Sequence, residues 1–145
     1  MAIRNHKTIS FKYNGVAFRI KDSLLVKSQL AVVLAKENLQ YSGITYVFSS
    51  DEYVLELNRK YLQHDYYTDI LTFTLSLPNE PILSEIYISI DRVRENAENF
   101  GISFETELQR VMIHGLLHLA GYNDHTEEEK KIMRGKENFY MAEVG

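Results

Sequence analysis

The sequence contains no cysteine, only two prolines and no long apolar run. The lack of cysteine excludes disulfides and thiolate ligands, so any bound metal must be held by His, Asp, Glu or main-chain oxygen. No segment approaches the roughly 18 apolar residues of a transmembrane helix. The first residues, MAIRNHKTISFKYNG, lack the apolar core of a signal peptide. Together these absences lead us to expect a cytoplasmic protein.

The charge balance of the chain is mildly acidic. There are 16 Lys and Arg residues against 20 Asp and Glu residues, which gives a net charge of −4. This argues against a protein that coats nucleic acid by bulk electrostatics, and we expect neither a DNA partner nor a membrane partner. A local basic groove remains compatible with this charge. Its candidate cations are Arg59, Lys60, His64, Lys130, Lys131, Arg134 and Lys136.

The length of 145 residues predicts one domain, residues 1–145, with enough chain to bury a core. Apolar periodicity predicts an α+β fold: a small mixed four-stranded sheet packed with about five helices. The most apolar helix, SFETELQRVMIHGLLHLA, is expected to lie centrally. The segments TDILTFTLSL and SEIYISI are joined by a loop with both prolines, which predicts antiparallel neighbouring strands.

Local signals predict several element boundaries. The segment ISFKYNGVAFRI predicts a β-hairpin, because alternating residues flank an Asn-Gly pair. Gly121 is expected to end the central helix, and Thr126 with Glu129 to form a capping box for the last helix. An amphipathic helix is predicted in the segment DSLLVKSQLAVVLAKENLQ. Its apolar side is predicted to consist of Leu24, Leu25, Leu30, Val33 and Leu34.

Two histidines, His114 and His118, lie four residues apart on the predicted central helix. Side chains at this spacing project from one face, so two imidazoles can bind one ion. After Gly121 the chain can turn back, and residue 124 or 125 can supply a third ligand, leaving one position open for water. Core histidines bonded to main chain show the same spacing, but the glycine break and the third donor favour a catalytic metal site.

The segment HGLLHLAGYNDH resembles the signature HGxLHLxGYDH of the YbeY family of bacterial endoribonucleases, in which three histidines bind zinc. The upstream segments LNRKYLQHDYYTDILTF and SEIYIS resemble two further family blocks, so the resemblance covers nearly the whole chain. It implies a single-strand-specific, zinc-dependent endoribonuclease that matures ribosomal RNA, especially the 3′ end of the small-subunit RNA. It also implies a role in ribosome quality control, with RNA, the ribosome or its assembly factors as partners.

The chain departs from the family pattern at three places. The third histidine of the family falls six residues after the second, where this chain has Asp124, and His125 follows one residue later. Leu62 stands where family members have an arginine that is thought to act in catalysis. The Gly-Asp pair of the family's strand block is replaced by residues 84–85, Ser-Glu. The fold and the metal site are still predicted despite these departures. The departures concern the third metal ligand, the catalytic arginine and the strand block.

Either Asp124 or His125 could complete the metal site. Spacing favours Asp124, because a shift of one residue moves a side chain by up to about 3.8 Å. A carboxylate is also an accepted zinc ligand. Residue type favours His125, if the loop absorbs Asn123 as an extra residue. We predict Asp124 as the third ligand, with His125 as the alternative.

The predicted reaction is metal-assisted hydrolysis of an RNA phosphodiester, with His114 and His118 acting through zinc or another divalent metal. Arg59, Lys60 and His64 are predicted to bind substrate, because they lie nearest in sequence to the missing arginine. Each of these three residues also fits a solvated helix end.

Two further acids, Asp69 and Glu107, are candidates for orienting a histidine. Two rival functions remain open. A metallopeptidase fits the ligand spacing, but Gly115 stands where such enzymes carry a glutamate base. A non-enzymatic ribosome-associated factor would use the metal only to stabilise its fold.

Overall fold

A computed structural model describes residues 7–144 of the chain. Their elements, in order, are β1 (Thr8–Tyr13), α1 (Ser23–Lys36), β2 (Tyr41–Ser49), α2 (Asp51–Leu62), β3 (Ile70–Thr74), β4 (Ile82–Ser89), α3 (Ile90–Phe100), α4 (Phe104–Leu119) and α5 (Glu127–Val144). The predicted α+β class, with a four-stranded mixed sheet and five helices in this part of the chain, is confirmed. None of the helices formed by residues 7–144 is both long and apolar enough to cross a membrane.

The four strands form one sheet in the order β1-β2-β4-β3. Strand β2 pairs in parallel with β1 and with β4, whereas β3 and β4 are antiparallel. The predicted antiparallel pairing on either side of the proline loop is therefore confirmed, with Ile70 opposite Ile88 and Thr74 opposite Ser84. The parallel strands are joined by helical connections, as parallel pairing requires.

The predicted β-hairpin over ISFKYNGVAFRI is wrong. The chain bends at Asn14 and Gly15, where Gly15 has φ +68°, but the tight hairpin turn does not form and residues 16–20 of the described chain form no strand. Strand β1 instead pairs with β2, where Tyr13 lies opposite Phe48. The segment after the turn packs its Phe18 ring 5.4 Å from the Phe48 ring, and the Ile20 N–H donates to the Tyr13 hydroxyl. Side-chain packing and bonding thus take the place of a strand ladder.

The predicted apolar side of α1 is correct only in its second half. Leu30, Val33 and Leu34 are buried, whereas Leu24 and Leu25 are 81% and 56% exposed. At about 100° per residue, Leu24 and Leu25 lie roughly 120° or more around the helix from Leu30. They therefore project away from the stripe that meets the core.

Helix α4 lies centrally, as predicted, and packs against the sheet. Gly115 allows the closest approach: a Cβ atom there would lie 2.9 Å from Ile70 Cδ1 and 3.3 Å from Ile86. The helix therefore approaches β3 and β4 through a position that has no side chain.

Two caps fix the loop between α4 and α5. Helix α4 ends at Leu119, and Gly121 follows at φ +101°, so the predicted helix end is confirmed. The predicted capping box is also confirmed: the Glu129 N–H donates to Thr126 Oγ1 over 3.0 Å, and the Thr126 N–H donates to Glu129 Oε1 over 2.9 Å. The four residues between these caps, 122–125, are therefore anchored at both ends.

Candidate metal centre

Three side chains from α4 and the following loop converge on one point. The Nε2 atoms of His114 and His118 are 2.9 Å apart. The Oδ2 atom of Asp124 lies 3.3 Å from His114 Nε2 and 3.6 Å from His118 Nε2. Helix spacing aligns the two rings, and the capped loop turns Asp124 back toward them. Three candidate ligand atoms therefore form a small triangle.

The hydrogen bonds on the far side of each ring define which nitrogen carries the proton. His114 Nδ1 lies 2.7 Å from Glu137 Oε2, and His118 Nδ1 lies 2.9 Å from the Tyr122 carbonyl oxygen. A carboxylate and a carbonyl only accept, so each Nδ1–H donates. In the neutral rings, both Nε2 lone pairs consequently face the triangle, as metal-binding histidines require.

The triangle fits a divalent cation. Two imidazole lone pairs and a carboxylate oxygen repel one another at these distances unless positive charge lies between them. A tetrahedral ion with bonds of about 2.0–2.2 Å holds its ligand atoms about 3.3–3.6 Å apart. The observed separations of 2.9, 3.3 and 3.6 Å are close to this range. Two nitrogens and one carboxylate oxygen suit zinc and also harder divalent metals.

The structure brings Asp124, and not His125, to the histidine pair. His125 is exposed, and its main-chain N–H donates to Glu129 Oε1 over 3.2 Å, within the helix cap. Adjacent positions in this loop therefore point to different surroundings. The geometry supports the spacing argument for Asp124, and metal binding by either residue stays a prediction.

The two imidazoles have opposite pKa shifts. Burial opposes protonation of His114, but the hydrogen bond and charge of Glu137, with the charge of Asp124, raise the pKa of His114 above its ordinary value. Burial lowers the pKa of His118, and neighbouring His114 lowers it further. Negative charge is thus concentrated on the His114 side of the triangle.

Glu137 has the most direct supporting role in the site, and the sequence pattern does not predict it. It is 4% exposed and lies on α5, 23 residues after His114. Arg110 NH1 lies 3.3 Å from the other carboxylate oxygen of Glu137, Oε1. Each oxygen of the buried carboxylate therefore has a partner, His114 on one side and Arg110 on the other. One signal was available: Glu137 falls between Met133 and Tyr140 on the buried stripe of α5.

The two acids that the sequence suggested for this role lie nearby. Glu107 is buried, and its Oε1 lies 3.6 Å from Arg110 Nε. Asp69 borders the same cavity as His114. Burial raises the pKa of Asp69, and the charge of His114 opposes that rise. Hydrogen bonding to His114 itself comes from Glu137.

Comparisons with known proteins identify the family. The family model described as Endoribonuclease YbeY matches residues 9–145. The chain belongs to the Endoribonuclease YbeY family. It is 45% identical over 130 residues to the Endoribonuclease YbeY of Flavobacterium psychrophilum, covering 90% of this chain and 91% of that protein. The protein of the same name from Phocaeicola vulgatus is 50% identical, with 92% and 96% covered. The resemblance inferred from the motifs is therefore confirmed.

A solved structure supports the fold. The solution structure of TM1509 from Thermotoga maritima superposes with a TM-score of 0.66 at 35% sequence identity. The match covers 94% of this chain and 89% of that one. The arrangement of strands and helices that carries the candidate metal centre is thus shared with an experimentally determined structure.

A cavity of about 360 Å³ opens beside the candidate metal centre of this YbeY family chain. His114 and Asp124 border it, together with Lys130 and Arg134 of α5. Lys130 and Arg134 belong to the four candidate cations for a basic groove near the end of the sequence. Lys136 instead lies 3.3 Å from Glu37.

The substrate-binding residues predicted near Leu62 lie outside the lining of this cavity. Arg59 forms an ion pair with Asp65, and the His64 ring stacks on Tyr66 at 5.2 Å. Lys60 Nζ lies over the Tyr61 ring. All three predicted residues are exposed, so contact with RNA by Arg59, Lys60 or His64 stays a prediction.

Proposed function

We propose that this chain is a metal-dependent endoribonuclease specific for single-stranded RNA, working as one domain over residues 1–145. It would act in the cytoplasm in ribosomal RNA maturation, at the 3′ end of the small-subunit RNA, and in ribosome quality control. RNA and the ribosome or its assembly factors are its proposed partners. The observation that carries the proposal is the triangle of His114, His118 and Asp124 in a chain of the YbeY family.

Zinc, or another divalent cation, would supply Lewis-acid chemistry there: polarisation of a phosphate oxygen or a lowered pKa of bound water. His114 and His118 would bind the cation through Nε2 and Asp124 through Oδ2. Glu137 and the Tyr122 carbonyl hold the two rings in the required tautomer. Because Asp124 carries a charge that a third histidine would lack, this donor set makes harder metals more competitive with zinc.

The metallopeptidase alternative is disfavoured by the packing of Gly115. A glutamate base would need a side chain at this position. A Cβ there would already lie 2.9 Å from Ile70 Cδ1 and 3.3 Å from Ile86, inside the contact between α4 and the sheet. Position 115 therefore faces the core and offers no room for the base that such peptidases use.

Matched alanine variants of adjacent residues test the third ligand. We expect Asp124→Ala to lose bound metal and RNA cleavage, and His125→Ala to retain both, because only Asp124 faces the histidine pair. Metal content is measured by inductively coupled plasma mass spectrometry, and cleavage with a labelled single-stranded RNA. The reverse pattern would establish His125 as the ligand.

A third variant tests the catalytic role of the metal. His114→Ala should remain folded by circular dichroism and cleave RNA far more slowly than wild type. Cleavage at the wild-type rate by folded His114→Ala would show that a contaminating nuclease, or another site, is responsible. If the wild-type chain cleaves no RNA but co-sediments with ribosomal subunits, the non-enzymatic factor is the better description.

A further inference from the structure

The cavity beside the candidate metal centre has an outer wall built from two helices. Asn96 and Phe100 lie four residues apart at the end of α3, and Lys130 and Arg134 lie four apart in the first half of α5. Residues at this spacing share one helix face. Each helix therefore turns one face to the cavity, and α5 also lines it with Met133 and the buried acid Glu137.

The charges of the cavity are arranged by depth. The acids Glu107 and Glu137 are 3% and 4% exposed, and Arg110 lies between them. Lys130 and Arg134 have side chains 56% and 55% exposed. Each makes one long ion pair within α5, Lys130 Nζ at 3.6 Å from Glu127 and Arg134 NH1 at 3.7 Å from Glu137, and both side chains stay open to solvent. A polyanion entering from solvent would therefore meet the two cations before the buried carboxylates.

Phe100 adds an apolar surface to this wall. It is 59% exposed although it borders the cavity. Gly101 follows at φ +67° and ends α3, so the ring stands at the end of the helix. An exposed phenyl ring beside cations is the combination with which proteins bind single strands: bases stack on the ring, and cations follow the backbone. The bases of an RNA duplex are already stacked and present no free face.

We infer that Arg134 and Lys130 bind the backbone phosphates of single-stranded RNA and that Phe100 stacks on one of its bases. This inference rests on the proposed endoribonuclease function and names the residues that select its substrate. In this chain, α5 supplies cations directly at the cavity that His114 and Asp124 border.

The stacking part is tested with Phe100→Ala and its control Phe139→Ala, a similarly exposed phenylalanine on α5 outside the cavity lining. Binding of a short labelled RNA is measured by fluorescence anisotropy, and a gel shows that the RNA stays intact. Phe100→Ala should weaken single-strand binding about fivefold or more. Its duplex affinity should be unchanged, and Phe139→Ala should behave as wild type. Equal losses for single strand and duplex would overturn the stacking role.

The phosphate part is tested through the salt dependence of binding. Each phosphate contact with a single strand contributes about 0.7 to the slope of log K against log salt concentration. Arg134→Ala and Lys130→Ala should each flatten the slope by about that amount, and Arg134→Lys should restore it. Lys131→Ala, the neighbouring exposed cation outside the lining, is the matched control and should keep the wild-type slope.

The outcomes separate the two proposals. If wild type binds single-stranded RNA while Arg134→Ala and Lys130→Ala keep its slope, this inference is wrong and the endoribonuclease function stands. The inference also fails if Lys131→Ala flattens the slope as much as Arg134→Ala. If wild type binds no RNA at all, the proposed function fails, and the inference fails with it.

Discussion

At the scale of single residues, the candidate site depends on a carboxylate that would not touch the metal. Glu137 accepts from His114 Nδ1 over 2.7 Å and receives Arg110 on its other oxygen. Removing such a partner typically lowers metal affinity about 10–100-fold. We expect Glu137→Ala to show a loss of this size in a zinc competition assay with a chromophoric chelator.

A conservative variant separates orientation from simple damage to the core. Glu137→Gln keeps the length of the side chain and an oxygen that accepts from Nδ1, so it should retain more zinc affinity than Glu137→Ala. Both variants need a folded circular dichroism spectrum before comparison. Wild-type affinity in folded Glu137→Ala would rule out a role for Glu137 in holding His114.

The residues of the site differed in how far they could be predicted. His114, His118 and Asp124 lie within a short stretch of chain, where helical spacing and one glycine determine which side chains can meet. Glu137 belongs to the next helix, and its contact with His114 depends on how α4 and α5 pack. Spacing along one helix contains no information about how two helices pack. The only indication in the sequence is that Glu137 is an acid within the apolar stripe of α5.

At the scale of the element, two helical glycines make opposite contributions. Gly135 lies within α5, and a Cβ there would meet, among the described residues, no atom within 4 Å beyond its chain neighbours and the nearby backbone of its own helix. Alanine is favoured over glycine in an open helix position by about 1 kcal/mol. We expect Gly135→Ala to raise the free energy of unfolding by about that amount, measured by urea denaturation.

Gly115 provides the contrast for that measurement. The same substitution in α4 places a methyl group 2.9 Å from Ile70 Cδ1, so repacking of the sheet contact offsets the gain in helix propensity. Gly115→Ala should therefore be less stable than Gly135→Ala. Equal stabilisation by both substitutions would mean that α4 does not approach the sheet as closely as described.

Two elements show where pattern and fold disagree. The Asn-Gly pair coincides with a bend after β1, but β1 pairs with β2, much later in the chain, and not with the segment that follows the bend. In α1, Leu24 and Leu25 are apolar, but their angular position removes them from the buried stripe, and both are exposed. Local sequence preferences thus indicate where the chain bends and where helices end. Long-range packing determines which strands pair and which helix face is buried.

At the scale of the whole molecule, the metal should stabilise the fold. A ligand that binds only the folded state adds about 2.7 kcal/mol when its free concentration is a hundredfold above its Kd. We expect a chelator to lower the thermal midpoint in differential scanning fluorimetry and zinc to restore it. Asp124→Ala should respond weakly to both treatments. A midpoint that is independent of zinc in wild type would argue against a preformed site.

The class of fold was predictable, whereas its strand order was not. Alternating and helical periodicities distinguish strands from helices within single segments. The order β1-β2-β4-β3 depends on parallel pairings between distant strands, with Thr8 beside Gly43 and Tyr41 beside Ile82. The residues of a strand do not specify which distant strand becomes its parallel partner. The sequence indicates only that a helical connection must join the two.

The capped loop between α4 and α5 also bears on the order in which the molecule assembles. His114, His118, Asp124 and Glu137 all belong to one helical hairpin, and 23 residues separate the most distant pair. The parallel β1–β2 and β2–β4 pairings join segments some 35 to 40 residues apart, which fold more slowly because longer loops must close. The contacts that build the candidate metal centre are therefore local in sequence, and we expect its side chains to converge before the sheet is complete.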